Sequence, residues 1–150
     1  MMAVHTQTVL DTTDPHLVAG FWASALGYER EDNSALIQHV LDGGQAPQEV
    51  TTTVDGRLSW RTLAAIRHPD DPVHPFTGAG LGRRMLFQAV PEPKTVKNRM
   101  HVDLSVGSDA RDAEVVRLEG LGATVLARVD ADGSNHVTMA DPEGNEFDVQ

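Results

Sequence analysis

Two stretches of this chain repeat one another at an offset of 95 residues, and a duplicated unit constrains a fold more tightly than any local propensity. Asp14 falls on Asp109, Phe21 on Val116, Leu26 on Leu121 and Gly27 on Gly122, while His5 falls on His101 one residue out of step. Each copy opens with alternating apolar residues, Val4 to Leu10 and Met100 to Val106, the period of a half-buried strand. A helix follows in both. Asp14 is the expected cap of the first, with Pro15 at the first helical position where its missing N–H is no loss, and Ser108 or Asp109 is the expected cap of the second. Gly27 and Gly122 end them. Leu17, Val18, Phe21, Trp22, Ala25 and Leu26 form one apolar stripe, and Ala113, Val116, Leu118 and Leu121 a shorter one, so each helix is expected to cover a sheet.

The second copy continues with strands at Thr124 to Ala127 and His136 to Met139, a turn at Asp141 to Asn145, and a last strand from Glu146 to Val149. The first copy closes on Arg84 to Val90, but 60 residues separate Gly27 from Phe87 where 25 separate Gly122 from Phe147. The excess reads as a helix from Ser34 to Leu41 and a strand from Leu58 to Ile66. Repeat one therefore spans 3–91 with an insertion at about 29–60, followed by a linker at 92–98 and repeat two at 99–150. The insertion suits a lid, a dimer contact or a surface decoration.

Composition removes several functions. A chain of 150 residues suits one domain, which at this size buries roughly 68–70% of its unfolded surface. It has no cysteine, which excludes thiolate catalysis and disulfides. A net charge of -10 repels phosphate backbones and anionic membranes, so neither nucleic acid nor a membrane is an expected partner. The first residues lack a basic leader, and no stretch approaches the ~18 apolar residues of a membrane span, so a cytoplasmic protein is expected.

Four separated motifs now stand in order: Asp11 to Pro15 before Phe21 to Tyr28, Leu86 to Lys94, Lys97 to Leu104, and Asp141 to Phe147. They resemble the glyoxalase-like branch of the vicinal-oxygen-chelate superfamily over about two thirds of the chain. The resemblance implies an α+β fold in which two βαβββ repeats form a cupped mixed or antiparallel sheet with helices outside. It also implies a small organic, aromatic ligand in the cup and a homodimer. It leaves the activity open, since glyoxalase I, extradiol dioxygenases, antibiotic-modifying metalloenzymes and metal-free antibiotic-binding proteins share that fold.

In metal-using relatives the ligands come from the first and last strand of each unit. The matching positions are His5 or its same-face neighbour Gln7, then Gln88, His101 and Asp148. Gln88 departs from the pattern, because a neutral amide is a poor substitute for a carboxylate. What the resemblance then implies is a metal site of His5, His101 and Asp148, the two-histidine, one-carboxylate set that holds Fe, Mn or Zn. A chain with that site would be a divalent-metal-dependent lyase or dioxygenase; without it, a protein that sequesters its ligand. The expected pocket is lined by Gln7, Trp22, Trp60, Phe87, Gln88 and Asp103. Lys94, Lys97 and Arg99 form a basic cluster suited to an anionic ligand or to a solvated loop. The glycines at Gly78, Gly80 and Gly82 lead into a strand, not a helix, so they offer no dipole to phosphate. His68 to Pro75, with its prolines and aspartates, reads as a rigid loop.

Overall fold

The computed structural model describes residues 2–131 and 133–150, in two compact units, Met1–Pro91 and Glu92–Gln150. The first unit runs β1 (Thr8–Thr12), α1 (Pro15–Leu26), β2 (Glu29–Arg30), α2 (Ser34–Asp42), β3 (Thr51–Val54), β4 (Arg57–Trp60), β5 (Leu63–Arg67) and β6 (Arg84–Ala89). The second runs β7 (Val102–Leu104), α3 (Ser108–Gly120), β8 (Thr124–Ala131), β9 (Ser134–Ala140) and β10 (Glu146–Val149). The sheet orders are β1-β6-β5-β2 and β7-β10-β9-β8, each being first, last, third and second strand of its βαβββ unit. In both, the first strand pairs in parallel with the last and the remaining pairs are antiparallel. The duplication is thus one of topology as well as sequence.

Register corrects the alignment of the copies. Asp11 lies opposite Gln88 and Asp103 opposite Asp148, so the shared topology matches Asp11 with Asp103 and Val9 with His101. The strands are therefore offset by 92 residues and the helices by 95, the difference being taken up in the turn between them. His5 precedes β1 and is exposed, because pairing with β6 starts only at Thr8. The expected strand from Leu58 to Ile66 is two strands. At Arg61 the chain leaves the β3–β4 hairpin for the main sheet, its guanidinium donating to the carbonyls of Glu49 and Thr51.

Asp14 caps α1 as expected, accepting from the His16 and Leu17 N–H groups at 3.1 and 3.0 Å. Asp14→Ala should lower stability by about 1 kcal/mol, read by urea denaturation; no change would mean that water caps this helix equally well. In α3 the cap is Gly107 instead of Ser108 or Asp109. Its buried stripe is Val115 and Leu118, with Val116 67% exposed. Adjacent valines lie about 100° apart on a helix, so only docking against the sheet decides which is covered.

Within the first unit, Val18, Phe21 and Trp22 of α1 are buried, as are Ile66, Met85 and Phe87 of the sheet. In the second, Val115 and Leu118 are buried with Val137, Met139, Phe147 and Val149. Strand alternation leaves the opposite faces for polar side chains.

Strand β2 and the two residues after it are tied down by charge. Residues Glu29, Arg30, Glu31 and Asp32 pair with Arg67, Asp55, Arg84 and Arg57, respectively. Glu29 and Glu31 meet arginines of β5 and β6; Arg30 and Asp32 meet the tip of the β3–β4 hairpin. Alternation of an extended chain explains the split. Across this segment passes a strap carrying the three glycines. A methyl group on Gly78 would overlap the Asp32 carbonyl oxygen, on Gly80 it would lie 2.7 Å from Arg67 Cβ, and on Gly82 2.5 Å from Asp71 Oδ2. Those glycines serve close passage of chain over chain. In the same loop, His68 and His74 accept backbone N–H groups at Nδ1, and hydrogen bonds from Arg83 hold the Asp71 carboxyl down to about 2.

Candidate functional site

The polar face of the second sheet gathers a compact cluster. Asp103 and Asp148 are opposite one another in β7 and β10, and His101 lies two residues before Asp103, on the same side by strand alternation. One donor atom from each of His101, Asp103 and Asp148 falls within 4.8 Å of the others. His101 Nε2 is 3.2 Å from Asp103 Oδ1 and 3.4 Å from Asp148 Oδ2. The outer carboxylate oxygens are engaged elsewhere: Thr138 Oγ1 donates to Asp148 Oδ1 at 2.6 Å and Gln150 Nε2 to Asp103 Oδ2 at 3.1 Å. His136 stands beside the cluster, its Nε2 3.8 Å from Asp148 Oδ2 and its Nδ1 2.9 Å from Ser134 Oγ.

One imidazole nitrogen and two carboxylate oxygens converging on one point are the donor set that suits Mn, Fe or Zn. Hydrogen bonds that fix the outer oxygens are the usual means of orienting such ligands. The residues present therefore fit a divalent cation. In the first unit the topologically matching positions are Val9, Asp11 and Gln88, which offer no imidazole.

Flanking this face, the basic cluster is partly spent on structure. Lys94 Nζ donates to Glu146 Oε1 at 3.0 Å and the Asn98 N–H to Oε2 at 3.0 Å. Burial pushes the Glu146 carboxyl up, but the Asn98 N–H and Lys94 together hold it below the ordinary glutamate range. The turn before β10 is closed by the Asp141 carboxylate, 3% exposed, which accepts the N–H groups of Glu143 and Asn145. The Asp141 to Phe147 motif is thus an internal brace that delivers Asp148 to the cluster.

The first unit holds a cavity of about 490 Å³ between the β2–β5 edge and the β3–β4 hairpin, with His16, Arg30, Asp55 and Trp60 on its walls. His16 Nε2 lies 2.8 Å from the Trp60 carbonyl oxygen, which can only accept, so Nε2 carries the proton and Nδ1 accepts from Arg30 Nη2 at 3.3 Å.

Of the residues expected to line a pocket, Trp60 lines this cavity and Asp103 joins the cluster. Trp22 packs edge-on against Phe21, 2% exposed, and Phe87 is fully buried; both rings are used in the core. Gln88 is exposed, and Gln7 accepts a hydrogen bond from Arg84. Sequence reasoning missed Thr138, Gln150, His136, His16 and Arg30. The spacing of Thr138 and His136 in an alternating strand was the available signal for two of them.

The model of the glyoxalase-like domain family matches residues 7–150. The chain belongs to that family. Solved structures share its fold at low identity. The fosfomycin resistance protein FosX from Mesorhizobium loti superposes with a TM-score of 0.61 at 9% identity, covering 100% of this chain and 92% of that one. FosX from Listeria monocytogenes, complexed with Mn(II) and 1S,2S-dihydroxypropylphosphonic acid, gives 0.58 at 10%, covering 100% and 90%. The bleomycin-binding protein of Streptomyces verticillus, complexed with copper(II)-bleomycin, gives 0.53 at 14%, covering 100% and 97%. No curated protein matches the chain. Among the described residues of this glyoxalase-like chain, no helix is long and apolar enough to cross a membrane.

Proposed function

We propose that this protein binds a divalent transition metal, Mn, Fe or Zn, through His101, Asp103 and Asp148, and uses it to engage a small organic molecule bearing neighbouring oxygens. The observation that carries this reading is the convergence of the three donor atoms while Thr138 and Gln150 occupy the outer oxygens. A bound cation would supply Lewis acidity toward the ligand's oxygens. The chain's own part is to hold three donors on one sheet face and to present the imidazole of His136 beside them. A FosX relative complexed with Mn(II) on the same fold supports the choice of metal class. Compared with the set drawn from family resemblance, this one retains His101 and Asp148 and takes Asp103 in place of His5.

Metal analysis of untagged protein after incubation with Mn(II) tests it directly. The expected result is one ion per chain, lost in His101→Ala. Thr138→Val, which frees an Asp148 oxygen without touching a ligand, should weaken the metal by roughly 10–100-fold. If no ion binds in excess metal, the chain is a metal-free binding protein, a reading favoured independently by the cavity walled by Trp60.

A further inference from the structure

The cavity of the first unit contains a cation whose counter-ion is badly matched to it. Arg30 is held firmly from below: Nη2 donates to the His16 carbonyl oxygen at 3.1 Å and approaches His16 Nδ1 at 3.3 Å, while His16 is itself fixed by the Trp60 carbonyl. Its side chain is only 28% exposed. Yet its carboxylate partner is Asp55, 77% exposed at the tip of the β3–β4 hairpin, in contact through a single oxygen at 3.5 Å. A half-buried guanidinium presents a planar fork that a carboxylate can meet with two parallel hydrogen bonds, and such charge-assisted pairs run nearer 2.7–2.9 Å.

The other acids at the cavity do not compete for Arg30. Glu29 is paired with Arg67, Glu31 with Arg84, and Asp32 accepts from Ser34 and faces Arg57. Val54, Leu58, Trp60 and Leu63 line the same cavity among these charged residues. A fixed cation in a mainly polar cavity of about 490 Å³ that also takes in Val54, Leu58, Trp60 and Leu63 suits a small organic acid.

We propose that the cavity under the β3–β4 hairpin is a site for a small organic carboxylate, with Arg30 as its anchor and Asp55 as the carboxylate it replaces. The site uses no residue of the metal cluster and stands independently of it. In the unliganded chain Asp55 acts as an internal competitor, and the hairpin tip that carries it moves off Arg30 when the ligand enters.

The probes are benzoate and its neutral isostere benzamide, titrated at low ionic strength with EDTA present, with the indole resonance of Trp60 followed by NMR. Benzoate should shift that resonance in a saturable way, and benzamide should bind at least tenfold more weakly. Asp55→Asn, at an exposed turn position, should tighten benzoate several-fold, an effect opposite to that of losing a structural contact. Arg30→Gln should abolish the charge preference. Because Arg30 also braces His16, that variant is informative only beside Asp55→Asn, which carries the decision alone if Arg30→Gln fails to fold. Equal binding of benzoate and benzamide, no movement of the Trp60 resonance up to 10 mM of probe, roughly ten times a 1 mM dissociation constant, or unchanged or weaker benzoate binding in Asp55→Asn would each overturn the proposal.

Discussion

Glu31→Ala should cost about 3–5 kcal/mol of folding stability, the largest single-residue effect expected in this chain. The Glu31 side chain is completely shielded from solvent, and both its oxygens are engaged by Arg84, from Nε at 2.6 Å and from Nη2 at 2.9 Å. A third donor, the Gly80 N–H, reaches Oε1 at 2.7 Å. Removing the carboxylate strands a guanidinium only 19% exposed and an unsatisfied backbone donor together. The penalty comes from the group left behind, not from the net worth of the pair, so the double variant Glu31→Leu with Arg84→Met should recover most of the loss. Urea denaturation of Glu31→Ala and of the double variant measures the loss and its recovery, and thermal unfolding of Glu31→Ala should show a midpoint drop of roughly 6–20 °C. A loss below about 1 kcal/mol would show that water reaches the pair and that Glu31 is not the anchor of the strap.

Gly78→Ala is expected to be nearly as damaging. Gly78 has φ +72°, which costs an L-residue about 1–2 kcal/mol, and its missing Cβ is the space occupied by the Asp32 carbonyl oxygen. Forcing the strap away from that backbone adds about 1–3 kcal/mol, since neither partner is a flexible side-chain end. It would also stretch the bonds that seat the strap, Asn33 Nδ2 to the Thr77 carbonyl at 2.7 Å and the Gly80 N–H to Glu31. Gly44→Ala is the matched control. Its φ is +64°, but nothing lies within 4 Å of the added methyl group, so only the backbone cost applies. If the two variants unfold at the same denaturant concentration, close passage at Gly78 contributes nothing.

Much of the architecture was legible because it is written in local patterns. The order of strands and helices in the second copy, and the helices, the closing strand and the Asp14 cap of the first, follow from alternation, helical spacing and turn residues, whereas β2 and β3 gave no such signal. The glycines of the strap show the limit of such patterns. The strand that follows them argued against a phosphate loop, but no neighbour in sequence predicts that Asp32, 46 residues earlier, occupies the place of a Gly78 side chain. The ion pairs of Glu29 to Asp32 are similar, since a run of four charged residues reads locally as a solvated segment, and its partners arrive from three other strands and a hairpin tip.

The duplicated unit itself was determined by the sequence, because duplicated residues carry duplicated propensities. Which residues of the two copies correspond was decided only by the tertiary structure. A strand's alternation says which residues share a face, but a shift of register moves every one of them, and register is fixed by the partner strand. Pairing of β1 with β6 leaves His5 outside the sheet and matches Val9 with His101, while pairing of β7 with β10 sets Asp103 opposite Asp148. The imidazole and carboxylates of the candidate metal site meet through that register, in one copy of the repeat.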